Sequence, residues 1–210
     1  MVVGIIMEEN KEHWEKVFST KQENEVSWFQ KNPLTSLEFI SKFKLSKDAK
    51  IIDVGGGDSY FIDALLELGF TNLTLLDISA NAIERVKTRL GEKAKNITFI
   101  VSDVLDFKSI EKYDFWHDRA SFHFLTNQNQ IEKYVEIISK SSAKDSHMVI
   151  GTFSEYGLKK CSGLDITQYN ETKMNAVFNT NFELIDSFNI DHQTPFDTIQ
   201  NFIFCCFKRK

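Results

Sequence analysis

The chain has 210 residues, 42% of them hydrophobic, and a formal net charge of −5 at pH 7. That size and apolar content suit one domain, residues 1–210, with a substantial core. The acidity, with no basic block beyond Lys208-Arg209-Lys210, argues against a nucleic-acid partner. Three cysteines, Cys161, Cys205 and Cys206, without C-x-x-C spacing argue against a disulfide framework and a zinc site, and fit a reducing cytoplasm.

Met1 to Met7 is apolar but shorter than a secretory h-region, and acids follow at once, so Met1 or Met7 is the expected start. No apolar run approaches a membrane span. Residues 8–49 read as a helical lead-in. Trp14, Val17 and Phe18 have helical spacing, Trp28-Phe29 stands just ahead of Pro33, and Ser36 caps a helix carrying Leu37, Ile40 and Phe43.

The central unit is Lys50 to Asp77. Ile51, Ile52 and Val54 make a buried parallel strand that stops at Gly55-Gly56-Gly57. Ile62, Leu65 and Leu66 give helical periodicity, Gly69 stops that helix, and Leu73, Leu75 and Leu76 form a second strand ending in Asp77. Ser79 caps the next helix, through Ile83, Val86 and Leu90, and Gly91 closes it. Strands follow at Ile97–Val101 and Tyr113–His117, then a helix from Thr126 or Asn127 carrying Ile131, Tyr134, Val135 and Ile138. His147–Phe153 reads as a fifth strand, residues 154–170 as a loop, and Thr172–Phe178 as a helix. Segments 182–190 and 199–207 read as an antiparallel pair. Alternating strands and helices predict an α/β fold, a mostly parallel sheet with helices on both faces.

Ligands of such sheets sit beyond the carboxyl ends of the strands, where the strand order reverses. Glycines there let the backbone approach a ligand closely, and the helix start beyond them favours an anion. Asp77, 20 residues after Gly57, is placed to accept hydrogen bonds from ribose hydroxyls. A G-x-G-x-x-G dinucleotide fingerprint would need glycine where Tyr60 stands, which disfavours an NAD-dependent oxidoreductase.

The run Asp53-Val54-Gly55-Gly56-Gly57-Asp58 resembles the D-x-G-x-G-x motif of class I S-adenosylmethionine-dependent methyltransferases. The resemblance covers residues 10–125 well and the rest in outline. It implies a Rossmann-like sheet of seven strands with only the last antiparallel, S-adenosylmethionine as cofactor, and a lead-in that closes over it. It also implies cofactor contacts at Trp28, Asp53, Gly55, Gly56, Gly57, Asp77, Ile78, Asp103, Val104 and Asp118. His13-Trp14 with Val26-Ser27-Trp28-Phe29, and Asp118-Arg119-Ala120-Ser121-Phe122, look like a subgroup acting on lysines of translation elongation factor 1A. His123 stands where that subgroup has aspartate, so the expected acceptor is a small molecule, with a protein lysine as the alternative. A noncatalytic cofactor-binding module is the reading of another class.

The stretch His117 to His123 is dense in titratable groups. His123 is the expected general base, with Asp118 and Arg119 the other catalytic candidates: Asp118 to meet an ammonium, Arg119 to bind a carboxylate. His117 and His123 have no carboxylate-rich cluster beside them, so no metal site is expected.

Overall fold

Ile51, Ile52 and Val54 are 0% exposed because helices cover both faces of the sheet they lie in. A computed structural model describes residues 2–210, with side chains from Glu9; the reading of Met1 or Met7 as the start falls outside it. In chain order the strands are β1 (Lys50–Val54), β2 (Asn72–Asp77), β3 (Ile97–Val101), β4 (Tyr113–Arg119) and β5 (Ser142–Phe153). A short pair, β6 (Lys160–Cys161) and β7 (Leu164–Asp165), precedes β8 (Phe182–Gln193) and β9 (Ile199–Arg209). The helices are α1 (Val2–Thr20), α2 (Leu34–Phe43), α3 (Phe61–Glu67), α4 (Ala80–Leu90), α5 (Gln128–Ser141) and α6 (Glu171–Phe178).

Seven strands form one sheet in the order β3-β2-β1-β4-β5-β9-β8. β9 alone runs antiparallel to its neighbours, as the resemblance implied. Phe39, Ile62 and Val86, from α2, α3 and α4, pack on the face that shows Ile51 and Phe115. Tyr134 and Ile138 from α5 and Phe178 from α6 pack on the face that shows Ile52 and Trp116. The order reverses between β1 and β4, which opens a crevice beyond their carboxyl ends. Among the described residues, no helix is long and apolar enough to cross a membrane.

Local chemistry sets the boundaries. Ser79 Oγ accepts from Ala82 N–H at 3.2 Å, and Gly91 ends α4 at φ +55°, as expected. Ser36 is not a cap: α2 begins at Leu34 after Pro33, whose fixed φ suits a helix start, and Ser36 lies in the first turn, 1% exposed. β5 starts at Ser142 rather than His147, because Asp145 takes φ +60° and the register against β4 shifts between Tyr113 and Phe115. Aspartate tolerates that conformation, so the strand absorbs a bulge and begins before the expected His147. The loop over residues 154–170 contains the β6–β7 hairpin, turned by Ser162 and Gly163, both at positive φ.

Candidate active site

The crevice is floored by the glycine turn. Gly55 has φ +62° and donates its N–H to Leu76 O at 2.8 Å; Gly57 has φ +56° and donates to Asp77 Oδ2 at 2.8 Å. A Cβ at Gly55 would stand 2.4 Å from that of Ser121, and one at Gly57 would stand 2.9 Å from the Phe18 ring. Glycine is therefore what lets the turn after β4 and helix α1 close on the crevice from two sides.

Asp77, Ile78, Asp103 and Val104 line one end. Asp77 is 5% exposed and accepts from Gly57 and, through Oδ1, from Ser79 N–H at 2.8 Å. Burial still pushes its pKa up to about 7, with Asp53 and Asp58 adding repulsion. Burial also raises Asp103, whose Oδ1 accepts from Leu105 N–H at 2.8 Å. Buried carboxyls whose ionised form is disfavoured in this way fit a ligand that brings further hydroxyl or amino hydrogens.

At the other end, the segment after β4 separates the predicted residues. Strand alternation turns Arg119 toward the crevice and Asp118 away from it. Asp118 is 0% exposed, and Oδ1 takes the Ser121 and Phe122 N–H groups at 3.0 Å each while Oδ2 accepts from Tyr134 OH at 2.8 Å. Burial pushes its pKa up to about 6. It shapes the turn and does not line the crevice, contrary to the expectation that it meets cofactor or substrate. His123 is likewise 0% exposed, off the crevice, stacked on Phe153 at 5.1 Å, with Nδ1 accepting from Phe153 N–H at 3.4 Å. Burial lowers its pKa to about 3 and its Nε2 has no partner among the described residues, so it has neither the position nor the basicity expected of the base. Between them, Ala120 is held at φ +67°, a conformation that costs a non-glycine residue and persists at functional turns.

Arg119 lines the crevice and donates from Nη2 to Trp28 O at 2.8 Å. No ion-pair partner is found for it among the described residues, and burial lowers its pKa to about 10. An unpaired guanidinium of this kind suits a carboxylate.

The lead-in roofs the crevice. Trp28 and Trp14 meet edge to face at 5.7 Å, and both line it. Glu15 reaches from α1 to the start of α4, accepting from Ala80 N–H at 2.7 Å, Asn81 N–H at 3.1 Å and Ser79 Oγ at 2.8 Å. Tyr60 donates its OH to Glu23 at 2.9 Å, with Lys31 and Arg89 over its ring at 4.1 Å each. The residue that breaks the dinucleotide fingerprint is thus an anchor for the roof.

One group escaped sequence reasoning. His117 Nδ1 lies 2.7 Å from Asp53 Oδ1, and its Nε2 lies 2.9 Å from Ser36 Oγ. All three line the crevice and are at most 2% exposed. The missed signal was spacing: Ser36 shares a helical stripe with Phe39, Ile40 and Phe43, so it belongs to the inward face of α2.

A seven-stranded sheet with this order, and a glycine turn leading to a buried acid on β2, define a methyltransferase fold. The chain belongs to the family described as "Methyltransferase domain", whose profile matches residues 45–202. It is 27% identical to human EEF1A lysine methyltransferase 2 over 146 residues, 62% of this chain and 61% of that protein. It is 28% identical to Malonyl-[acyl-carrier protein] O-methyltransferase 1 of Ilyobacter polytropus over 148 residues, 66% of this chain and 54% of that protein. The chain therefore spans less than two thirds of either relative's length. N-methyltransferase NodS from Bradyrhizobium japonicum, solved with S-adenosyl-l-homocysteine, shares the fold at TM-score 0.69 and 14% identity, over 94% of this chain and 98% of that one. The family resemblance drawn from Asp53 to Asp58 is borne out, and S-adenosylmethionine is the cofactor it implies. The residues present fit it: buried carboxyls with raised pKa for a diol and an amino group, and, among the described residues, an unpaired guanidinium for a carboxylate.

Proposed function

We propose that this chain is an S-adenosylmethionine-dependent methyltransferase of the cytoplasm that methylates a small molecule. The observation that carries this is Asp77, a buried carboxyl at the end of β2, lining the crevice beside the glycine turn, with its pKa raised to about 7. Asp77 holds the ribose hydroxyls, Asp103 and the Val104 N–H the adenine, and Gly55, Gly56 and Gly57 let the chain pass close to the nucleoside. Trp28 and Ile78 cover it, and Arg119 binds a carboxylate of cofactor or acceptor. When bound, the sulfonium supplies the methyl group; the residues align the acceptor with it and exclude water.

A small acceptor is supported by the roof that Trp14 and Trp28 form and by the lack, among the described residues lining the crevice, of a free carboxylate for a lysine ammonium. Asp118 is spent on its turn, Asp53 is paired with His117, and Asp77 and Asp103 sit at the nucleoside end. Buried free thiols at Cys161, Cys205 and Cys206 support a reducing compartment. The test is transfer of radiolabelled methyl from S-adenosylmethionine into a cell extract separated by size. Label in the small-molecule fraction is expected; label confined to protein would move the acceptor to a lysine, and binding without any transfer would indicate a noncatalytic module.

A further inference from the structure

We propose that Ser36, His117 and Asp53 form a proton-accepting chain that serves the methyl acceptor, which is therefore a hydroxyl, thiol or amine that sheds a proton on methylation. This rests on the methyltransferase reading and adds the acceptor's chemical class to it.

The three groups come from α2, β4 and β1. Asp53 and His117 face each other in the β1–β4 register, so their side chains share one face of the sheet, and the first turn of α2 sets Ser36 on that face. In the proposed chain Asp53 accepts from His117 Nδ1–H, and Nε2 with its lone pair accepts from Ser36 Oγ–H. Ser36 Oγ keeps its own lone pairs for a donor in the crevice. The arrangement is that of a serine hydroxyl polarised by an oriented imidazole. The Phe61 ring at 4.2 Å walls the imidazole off, and the charged groups near it are Asp53 on β1 and Asp118 and Arg119 on β4. α2 and α3 meet it with Ser36 and Phe61, which carry no charge.

Among the described residues, no other imidazole, thiol or carboxyl is placed to do this work. His123 and Asp118 are turned away, Cys161 has its thiol pushed up to about 12 by burial, and Asp77 and Asp103 stand at the nucleoside end. In the step, a lone pair on the acceptor's O, S or N forms the bond to the methyl carbon as the carbon–sulfur bond breaks, its electrons going to sulfur. The acceptor's proton passes to Ser36 Oγ while the proton of Ser36 passes to His117 Nε2. The resulting imidazolium is held by Asp53 and returns its proton to solvent after the product leaves.

The test uses diisopropyl fluorophosphate on the protein saturated with S-adenosylhomocysteine, with the adduct located by mass spectrometry. A hydroxyl activated by His117 attacks phosphorus, fluoride leaves, and the proton moves to the imidazole. The expected result is an adduct on Ser36 that forms at least ~100-fold more slowly in His117→Gln, the scale of general-base assistance. No adduct on Ser36, an unchanged rate in His117→Gln, or labelling only without S-adenosylhomocysteine would overturn the proposal. Should His117→Gln fail to fold, the pH profile of the parent decides. A labelling rate that levels off after one titration is expected; one that climbs tenfold per pH unit throughout, as for an unactivated hydroxyl, would overturn it. Calorimetry with S-adenosylhomocysteine separates the two readings. If the ligand binds the parent protein and Ser36 is inert, only the chain fails; if it does not bind, the methyltransferase reading fails.

Discussion

Burial raises the Asp77 pKa to about 7 although two N–H groups point at it, so the free protein takes up a proton there more readily than an ordinary carboxylate does. Ribose hydroxyls donate to the ionised carboxylate and favour it, so cofactor binding expels that proton. Affinity for S-adenosylhomocysteine is expected to rise between pH 6 and 8 and then level off, with proton release read by calorimetry in two buffers of different ionisation heat; affinity falling over that range would contradict the assignment. Asp77→Ala should weaken binding by about 1.5–3 kcal/mol, the scale of hydrogen bonds to a charged group. His123 predicts the stability of the fold instead. Its folded pKa of about 3 lies below its ordinary 6.5, so it stabilises the protein above pH 6.5 and that contribution is lost as pH falls toward 3. In urea unfolding, the parent should lose about 2 kcal/mol more than His123→Leu between pH 7 and pH 5, from 1.36 kcal/mol per pH unit below 6.5; parallel curves would refute this. The sequence makes Asp77 and the glycines readable because their spacing is the chemistry. It misplaces Asp118 and His123 because nearness to a strand end does not say which face a side chain takes; the two-residue period sends His117 and Arg119 to the crevice and Asp118 to the α5 side.

At the scale of elements, α1 is tied to α4 through Glu15, which supplies the acceptors that the start of α4 lacks. Glu15→Ala should cost about 1 kcal/mol. Hydrogen exchange over residues 9–20 and the first turn of α4 should then quicken by about 5-fold, while β1 and β4 stay protected. Unchanged exchange there would show that aromatic packing alone holds the roof. No periodicity announces Glu15, because its partner is a helix end that only the tertiary fold brings near. The same limit explains α2 and β5. Pro33 starts α2 earlier than the serine signal suggests, and Asp145 at positive φ lets β5 begin at Ser142, ahead of the expected His147. Where apolar spacing was long and regular, as in α4 and β1 to β3, expected and observed elements agree within a residue or two.

Across the whole molecule, alternating strands and helices made the covered parallel sheet legible, since parallel neighbours need crossovers that place helices on both faces. The hydrophobic pattern supplied seven strands and an antiparallel closing pair; that they join in one sheet with only the last strand antiparallel came from the family resemblance. What the assembled sheet adds is convergence: Asp77, Asp103, Arg119 and the Ser36–His117–Asp53 chain, from α2, β1, β2, β4 and the turn after β3, line one crevice under one roof. That convergence is a claim about a nucleoside-bearing methyl donor, and calorimetric titration with S-adenosylmethionine, S-adenosylhomocysteine and NAD side by side tests it most directly. The account predicts micromolar binding of the first two and none of NAD. Binding of NAD alone, or of none of the three, would contradict it.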